Sequence, residues 1–103
     1  MELEPIRIGG FTINLVEDDT LQYMQLCAAF DGNANRIMFR TDCDPQITQQ
    51  SIVHETGHAI ESIYLEGDAL SERQLSAFTQ GWFQVLRDNP KLVEYITGEV
   101  EEK

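Results

Sequence analysis

The stretch Asp44-Pro45-Gln46-Ile47-Thr48-Gln49-Gln50-Ser51-Ile52-Val53-His54-Glu55-Thr56-Gly57-His58-Ala59-Ile60-Glu61-Ser62-Ile63-Tyr64-Leu65 is where the periodicity of the chain changes from strand-like to helical. Asp44 is suited to cap a helix N-terminus, and Pro45 to occupy its first turn, where a missing N–H costs nothing. Ile47, Ile52, Ala59 and Ile63 then fall near one face, which predicts a helix from Pro45 to about Leu65. Residues i and i+4 of a helix point the same way, so His54 and His58 can grip one metal ion. Glu55 is turned by about 100° and can reach a water in the open position of that ion. Gly57 costs roughly 1 kcal/mol in a helix interior relative to alanine, which predicts close approach of another backbone or of a cleft.

Upstream of this helix the pattern is that of strands. Residues 6 to 16 alternate around Gly9-Gly10, with Phe11, Ile13 and Leu15 on one face and Thr12 and Asn14 on the other, as in a hairpin. Tyr23 to Phe30 is a weaker strand candidate. Asp31-Gly32-Asn33-Ala34-Asn35 is turn chemistry, and it leads into the strand Arg36-Ile37-Met38-Phe39-Arg40. Downstream, Glu66-Gly67-Asp68 breaks the helix. Ser71 and Gln74 have capping-box spacing and open a second helix of about residues 71 to 87. Leu75, Phe78, Trp82, Val85 and Leu86 recur on it at helical spacing, which predicts that it supplies much of the core. Asp88-Asn89-Pro90 ends it and starts a short third helix reaching Thr97, after which the acidic tail from Gly98 is expected to fray. The expected fold is therefore α+β. A small antiparallel sheet of three to four strands precedes the motif helix, a second core helix and a short C-terminal helix, in one domain spanning residues 1 to 103.

Eighteen acidic against seven basic residues give a formal charge of −11, which repels phosphate backbones and anionic lipids and so speaks against nucleic-acid or membrane partners. The 42% apolar content fits a globular chain. No targeting segment or membrane-length apolar run is present, and a cytoplasmic location is expected. Cys27 and Cys43 lack CxxC spacing and are expected to be two reduced, partly buried thiols.

A catalytic zinc takes three protein ligands and keeps one position open. His54 and His58 are the chain's only histidines, so a cysteine, aspartate or glutamate must complete the set. Glu72, Glu61, Asp68 and Glu66 compete for that place. Glu72 is favoured because a ligand from a second helix fixes tetrahedral geometry better than a third residue along the same one. Glu61, seven residues after His54, suits an outer partner that orients an imidazole.

The paired strands opening Ile6-Arg7-Ile8-Gly9-Gly10-Phe11, the strand Asn35 to Arg40, the helix bearing His54-Glu55-Thr56-Gly57-His58, and the segment from Leu70-Ser71-Glu72 to Asp88-Asn89-Pro90 together resemble small phage and prophage zinc metallopeptidases. These are minimal gluzincins, related at the site to the ImmA/IrrE metallopeptidase group. The resemblance covers nearly the whole chain. It implies Zn2+ held by His54, His58 and Glu72, Glu55 as general base in hydrolysis of a peptide or protein substrate, and a cleft-edge strand that pairs with that substrate. Asn35, Arg36, Met38 and Arg40 are the positions that match this strand. The chain lacks the separate histidine with which many larger gluzincins stabilise the oxyanion, leaving Tyr64, Tyr95 or an arginine as substitutes. The rival reading is a catalytically weak or inactive zinc-binding phage protein that serves as a protein–protein interaction module.

Overall fold

The computed structural model describes residues 3 to 66 and 69 to 99. Asp68, one of the competing ligands, and the last four residues of the acidic tail lie outside that range. The order of elements is β1 (Ile6–Ile8), β2 (Phe11–Glu17), a 3-10 helix (Asp19–Met24), β3 (Ala28–Asp31), β4 (Arg36–Phe39), α1 (Pro45–Tyr64), α2 (Glu72–Asp88) and α3 (Pro90–Thr97). The α+β architecture and the three helices are those read from the sequence.

Two hairpins build the sheet. Gly9 and Gly10 turn β1 into β2 with φ of 54° and 86°, the left-handed backbone that a tight hairpin needs and that glycine adopts without a Cβ clash. The turn between β3 and β4 is held by Asp31, whose Oδ1 accepts from the N–H groups of Asn33 (3.0 Å) and Ala34 (3.3 Å). The strand order is β1-β2-β4-β3, and β2 pairs with β4 in parallel, so the sheet is mixed where a wholly antiparallel one was expected. The chain from Asp18 to Cys27 carries β3 past the place of β4, and the hairpin then returns β4 into the middle.

Tyr23 to Phe30 is extended only in its second half. The Asp18 side chain accepts from the Thr20 N–H and starts the 3-10 helix, which buries Leu21 and ends at Gln25 with φ 57°. Local capping thus overrides strand propensity at Tyr23 and Met24, and both stay exposed.

The core lies between the sheet and α1. Ile8, Ile13, Ile37 and Ala59 are buried together, with Ile6, Leu15, Phe30 and Ile63 packed against them. Ile13 and Ile37 are fully enclosed, and burying such side chains stabilises by about 1.5–3 kcal/mol each. Ile47, expected on the buried face of α1, is half exposed. The larger departure is α2, which packs on α1 rather than on the sheet. Only Leu75 and Thr79 are buried on it, whereas Phe78, Trp82, Val85 and Leu86 remain exposed. Its helical period is correct, but its stripe has one helix to cover where the expectation assumed a full core.

Gly57 is where the two helices meet. A Cβ placed there would lie 2.6 Å from Thr79 Cγ2 and 3.1 Å from Leu75 Cδ1. The approach is close, but it is made by α2 side chains and not by the backbone or cleft that the sequence led us to expect. Thr79 is buried and its hydroxyl donates to the Leu75 carbonyl at 2.8 Å, so it has little room to yield. Gly57→Ala is expected to lower the melting temperature, with overpacking of about 1–3 kcal/mol outweighing the gain in helix propensity. Thermal denaturation of the metal-free protein tests this; an unchanged or raised melting temperature would mean that the helices separate freely.

Cys27 and Cys43 form a disulfide, with Cα atoms 6.2 Å apart, which corrects the expectation of two reduced thiols. The reason lies in the sheet. Cys27 directly precedes β3, Cys43 follows β4, and antiparallel pairing of those strands, with Arg40 N–H donating to the Cys27 carbonyl at 2.9 Å, brings the outer ends together. The bond ties the edge strand to the start of α1. Structural disulfides persist in oxidising surroundings, and the expected cytoplasmic location rests on the absence of a targeting or membrane-length segment rather than on the cysteines. Among the described residues no helix is long and apolar enough to cross a membrane.

Candidate metal centre

The helix presents His54 and His58 one turn apart on the same side, with ring centroids 4.9 Å apart and near-perpendicular planes. Asp44 starts that helix as expected, its side chain accepting from the Gln46 N–H at 2.9 Å. The α2 helix returns along α1, with contacts running from Leu70 against Glu61, through Leu75 and Thr79 against Gly57, to Arg87 against Gln49. Glu72 stands in the first turn of α2, just after its cap. Ser71 and Gln74 form both halves of a capping box, at 3.0 and 3.1 Å. From there the Glu72 carboxylate spans the two imidazoles: Oε1 is 2.6 Å from His54 Nε2, and Oε2 is 3.2 Å from His58 Nε2.

One donor atom from each of His54, His58 and Glu72 lies within 4.8 Å of the other two, a grouping that can hold a metal ion. The pairing of the imidazoles supports that reading. His58 Nδ1 lies 3.2 Å from Glu61 Oε1, and since a carboxylate accepts, the tautomer that satisfies this contact is the one protonated at Nδ1. In the neutral ring Nε2 then has a lone pair, and it faces the lone pairs of Glu72 Oε2. Only a second proton or a cation reconciles two acceptors so placed. Zinc bonds of about 2.0–2.1 Å in a tetrahedron separate neighbouring donor atoms by roughly 3.3 Å, close to the His58–Glu72 separation. The shorter His54–Glu72 contact can open through the Glu72 side chain, which is mostly exposed.

Glu55 lies beside the triad. It shares with His54, His58 and Glu72 a cavity of about 470 Å³ that opens to solvent. Burial raises its pKa above the ordinary glutamate value, and the two nearby histidines and the Phe30 main-chain N–H, which donates to the carboxylate, partly offset this. A partly buried carboxylate next to a metal-competent triad is an arrangement that suits general-base chemistry.

Of the competing ligands, Glu61 faces His58 from the outer side, as an orienting partner does, and Glu66 lines a neighbouring cavity and stands outside the triad. The expected substrate-pairing positions need correction. Asn35, Arg36, Met38 and Arg40 lie on or at the ends of β4, an inner strand whose main chain is paired to β2 on one side and to β3 on the other. The guanidinium of Arg40 is held by Asp42 at 2.8 and 2.9 Å, and Arg36 faces Asp31 at 3.6 Å. The edge next to the metal cavity is β3. Since Cys27 is hydrogen-bonded to Arg40, alternation turns the main chain of Ala29 and Asp31 inward and leaves that of Ala28 and Phe30 facing the open edge.

Neither Tyr64 nor Tyr95 lines this cavity; both are exposed, and Tyr64 packs at the Gly9 turn. Gln25, Gln50 and Gln80 do line it, together with Ser51. Nothing in the sequence singles these out, because uncharged amides are common on any helix surface. Comparison with protein-family models, with curated proteins and with solved structures returns no match.

Proposed function

We propose that this chain is a zinc-dependent metallopeptidase that hydrolyses peptide bonds with Glu55 as general base. The observation that supports this most directly is the placement of the half-buried Glu55 carboxylate in the same open cavity as the His54, His58 and Glu72 donors. When bound, zinc would lower the pKa of a coordinated water and polarise the scissile carbonyl. His54, His58 and Glu72 would hold it, leaving the fourth position for water and substrate. Glu55 then accepts the proton of the attacking water and delivers it to the leaving amine. The outward N–H and C=O groups of Ala28 and the outward C=O of Phe30 supply the edge along which an extended peptide adds as a further strand, the Phe30 N–H being taken by Glu55. The strong negative charge makes nucleic acid and anionic membranes poor partners. A cytoplasmic location belongs to this reading only if the Cys27–Cys43 disulfide survives there.

A second reading, a zinc-binding interaction module, is favoured by one feature. Ile60, Phe78, Trp82 and Leu86 expose apolar surface along the α1–α2 pair. Metal removal discriminates between the two. The zinc-loaded protein is expected to cleave a denatured, fluorescently labelled polypeptide mixture, to stop when the metal is chelated, and to resume when zinc is returned. Cleavage that persists without metal contradicts the proposal; absence of cleavage with zinc bound favours the module.

A further inference from the structure

Glu61 holds two things at once. One carboxylate oxygen accepts a hydrogen bond from His58 Nδ1, at 3.2 Å, and the other accepts one from the main-chain N–H of Leu70, at 2.7 Å. Its side chain is only 12% exposed; the bond to His58 is part-buried, and the bond to Leu70 lies at the surface. Leu70 is followed directly by Ser71, the cap of α2, and then by Glu72. The Ser71 N–H is in turn held by the Gln74 side chain at 3.0 Å. Each main-chain position from Leu70 to the start of α2 is thereby tied, and the tie back to α1 runs through Glu61. Glu72 itself is mostly exposed and reaches the histidines from another helix, so its placement depends on where its backbone is anchored.

Resting on the metal reading above, we propose that Glu61 is a positioning residue that sets two of the three zinc ligands together: His58 by fixing its ring and tautomer, and Glu72 by anchoring the start of α2 to α1. Outer partners of metal-bound histidines typically contribute 10–100-fold in affinity through the imidazole alone. Glu61 differs in carrying a second ligand through the Leu70 N–H. The two effects are coupled, and coupling is measurable.

The test is a double-mutant cycle on zinc affinity, measured by competition with a chromophoric chelator, with backbone amide exchange of the metal-free proteins beside it. Glu61→Ala is expected to lower zinc affinity by about 10–100-fold in the parent chain, and by a distinctly smaller factor in a Glu72→Ala background, where there is no third ligand left to place. Glu61→Gln, with one acceptor oxygen where two are needed, should fall between parent and Glu61→Ala, and it keeps the test valid if the alanine variant folds poorly. Amide exchange at Leu70 should speed up in Glu61→Ala while the interior of α1 stays protected. Equal losses in both backgrounds, or unchanged affinity in the parent, would overturn the positioning role and leave the metal site standing. Exchange speeding up throughout α1 would reduce Glu61 to a structural residue. A parent chain that binds no zinc would overturn the metal reading and this inference with it.

Discussion

Glu55→Gln should hold zinc as the parent does and yet lose peptide hydrolysis by about 10²–10⁴-fold, the usual contribution of a positioned general base. Glutamine matches the shape of glutamate and can still accept the Phe30 N–H, but it cannot take a proton from water. The ligands His54, His58 and Glu72 are untouched, so metal content separates the loss of the base from the loss of the site. The metal-free protein should respond in the opposite direction. Burial raises the pKa of Glu55 from its ordinary 4.5. A carboxyl so shifted favours folding below the unfolded value, and that advantage is lost as pH rises through the folded one. At neutral pH the charged form therefore costs stability, and Glu55→Gln should melt higher than the parent, with the difference shrinking as pH falls through the raised pKa of Glu55 and gone below the ordinary value of about 4.5. Zinc-dependent cleavage at the parental rate would remove Glu55 from the mechanism.

Glu72→Ala should cost more zinc affinity than any outer partner does, beyond the 10–100-fold typical of such partners, because it removes one of three donors outright. His54→Ala should be of similar severity. Thermal stability of the metal-free chain should change little in Glu72→Ala, since the side chain is exposed and the α2 cap is made by Ser71 and Gln74 without it. The two carboxylate–imidazole contacts would be lost, but an exposed pair contributes little. Isothermal titration with Zn2+ reads the difference. Affinity within a few-fold of the parent would show that a residue other than Glu72 completes the site.

Much of this arrangement was legible in local sequence because it depends on local physics. Asp44-Pro45 and the Ser71–Gln74 box mark the starts of α1 and α2, Gly9-Gly10 the first hairpin, and Gly57 the helix contact. The i, i+4 spacing of His54 and His58 follows from helix geometry alone. Glu72 was reachable only as the best of several acids, since its place depends on how α2 returns along α1. What was not legible depends on non-local pairing. The alternation of Arg36 to Phe39 identifies a strand but says nothing about its neighbours, and the cleft-edge role that the resemblance implies for Asn35 to Arg40 falls on an inner strand. The cysteine pair follows only once β3 and β4 are known to lie side by side. The stripe of α2 has the same period whether a full core or a single helix covers it, and Phe78 and Trp82 turn out exposed.

The central claim is the three-residue metal centre, and X-ray absorption at the zinc edge of the purified, zinc-loaded protein tests it most directly. The expected spectrum has two imidazole nitrogens and carboxylate and water oxygens at about 2.0–2.1 Å, with no sulfur shell. It should lose an oxygen scatterer or the metal altogether in Glu72→Ala. A sulfur shell near 2.3 Å, or a protein that retains no zinc after dialysis, would contradict it.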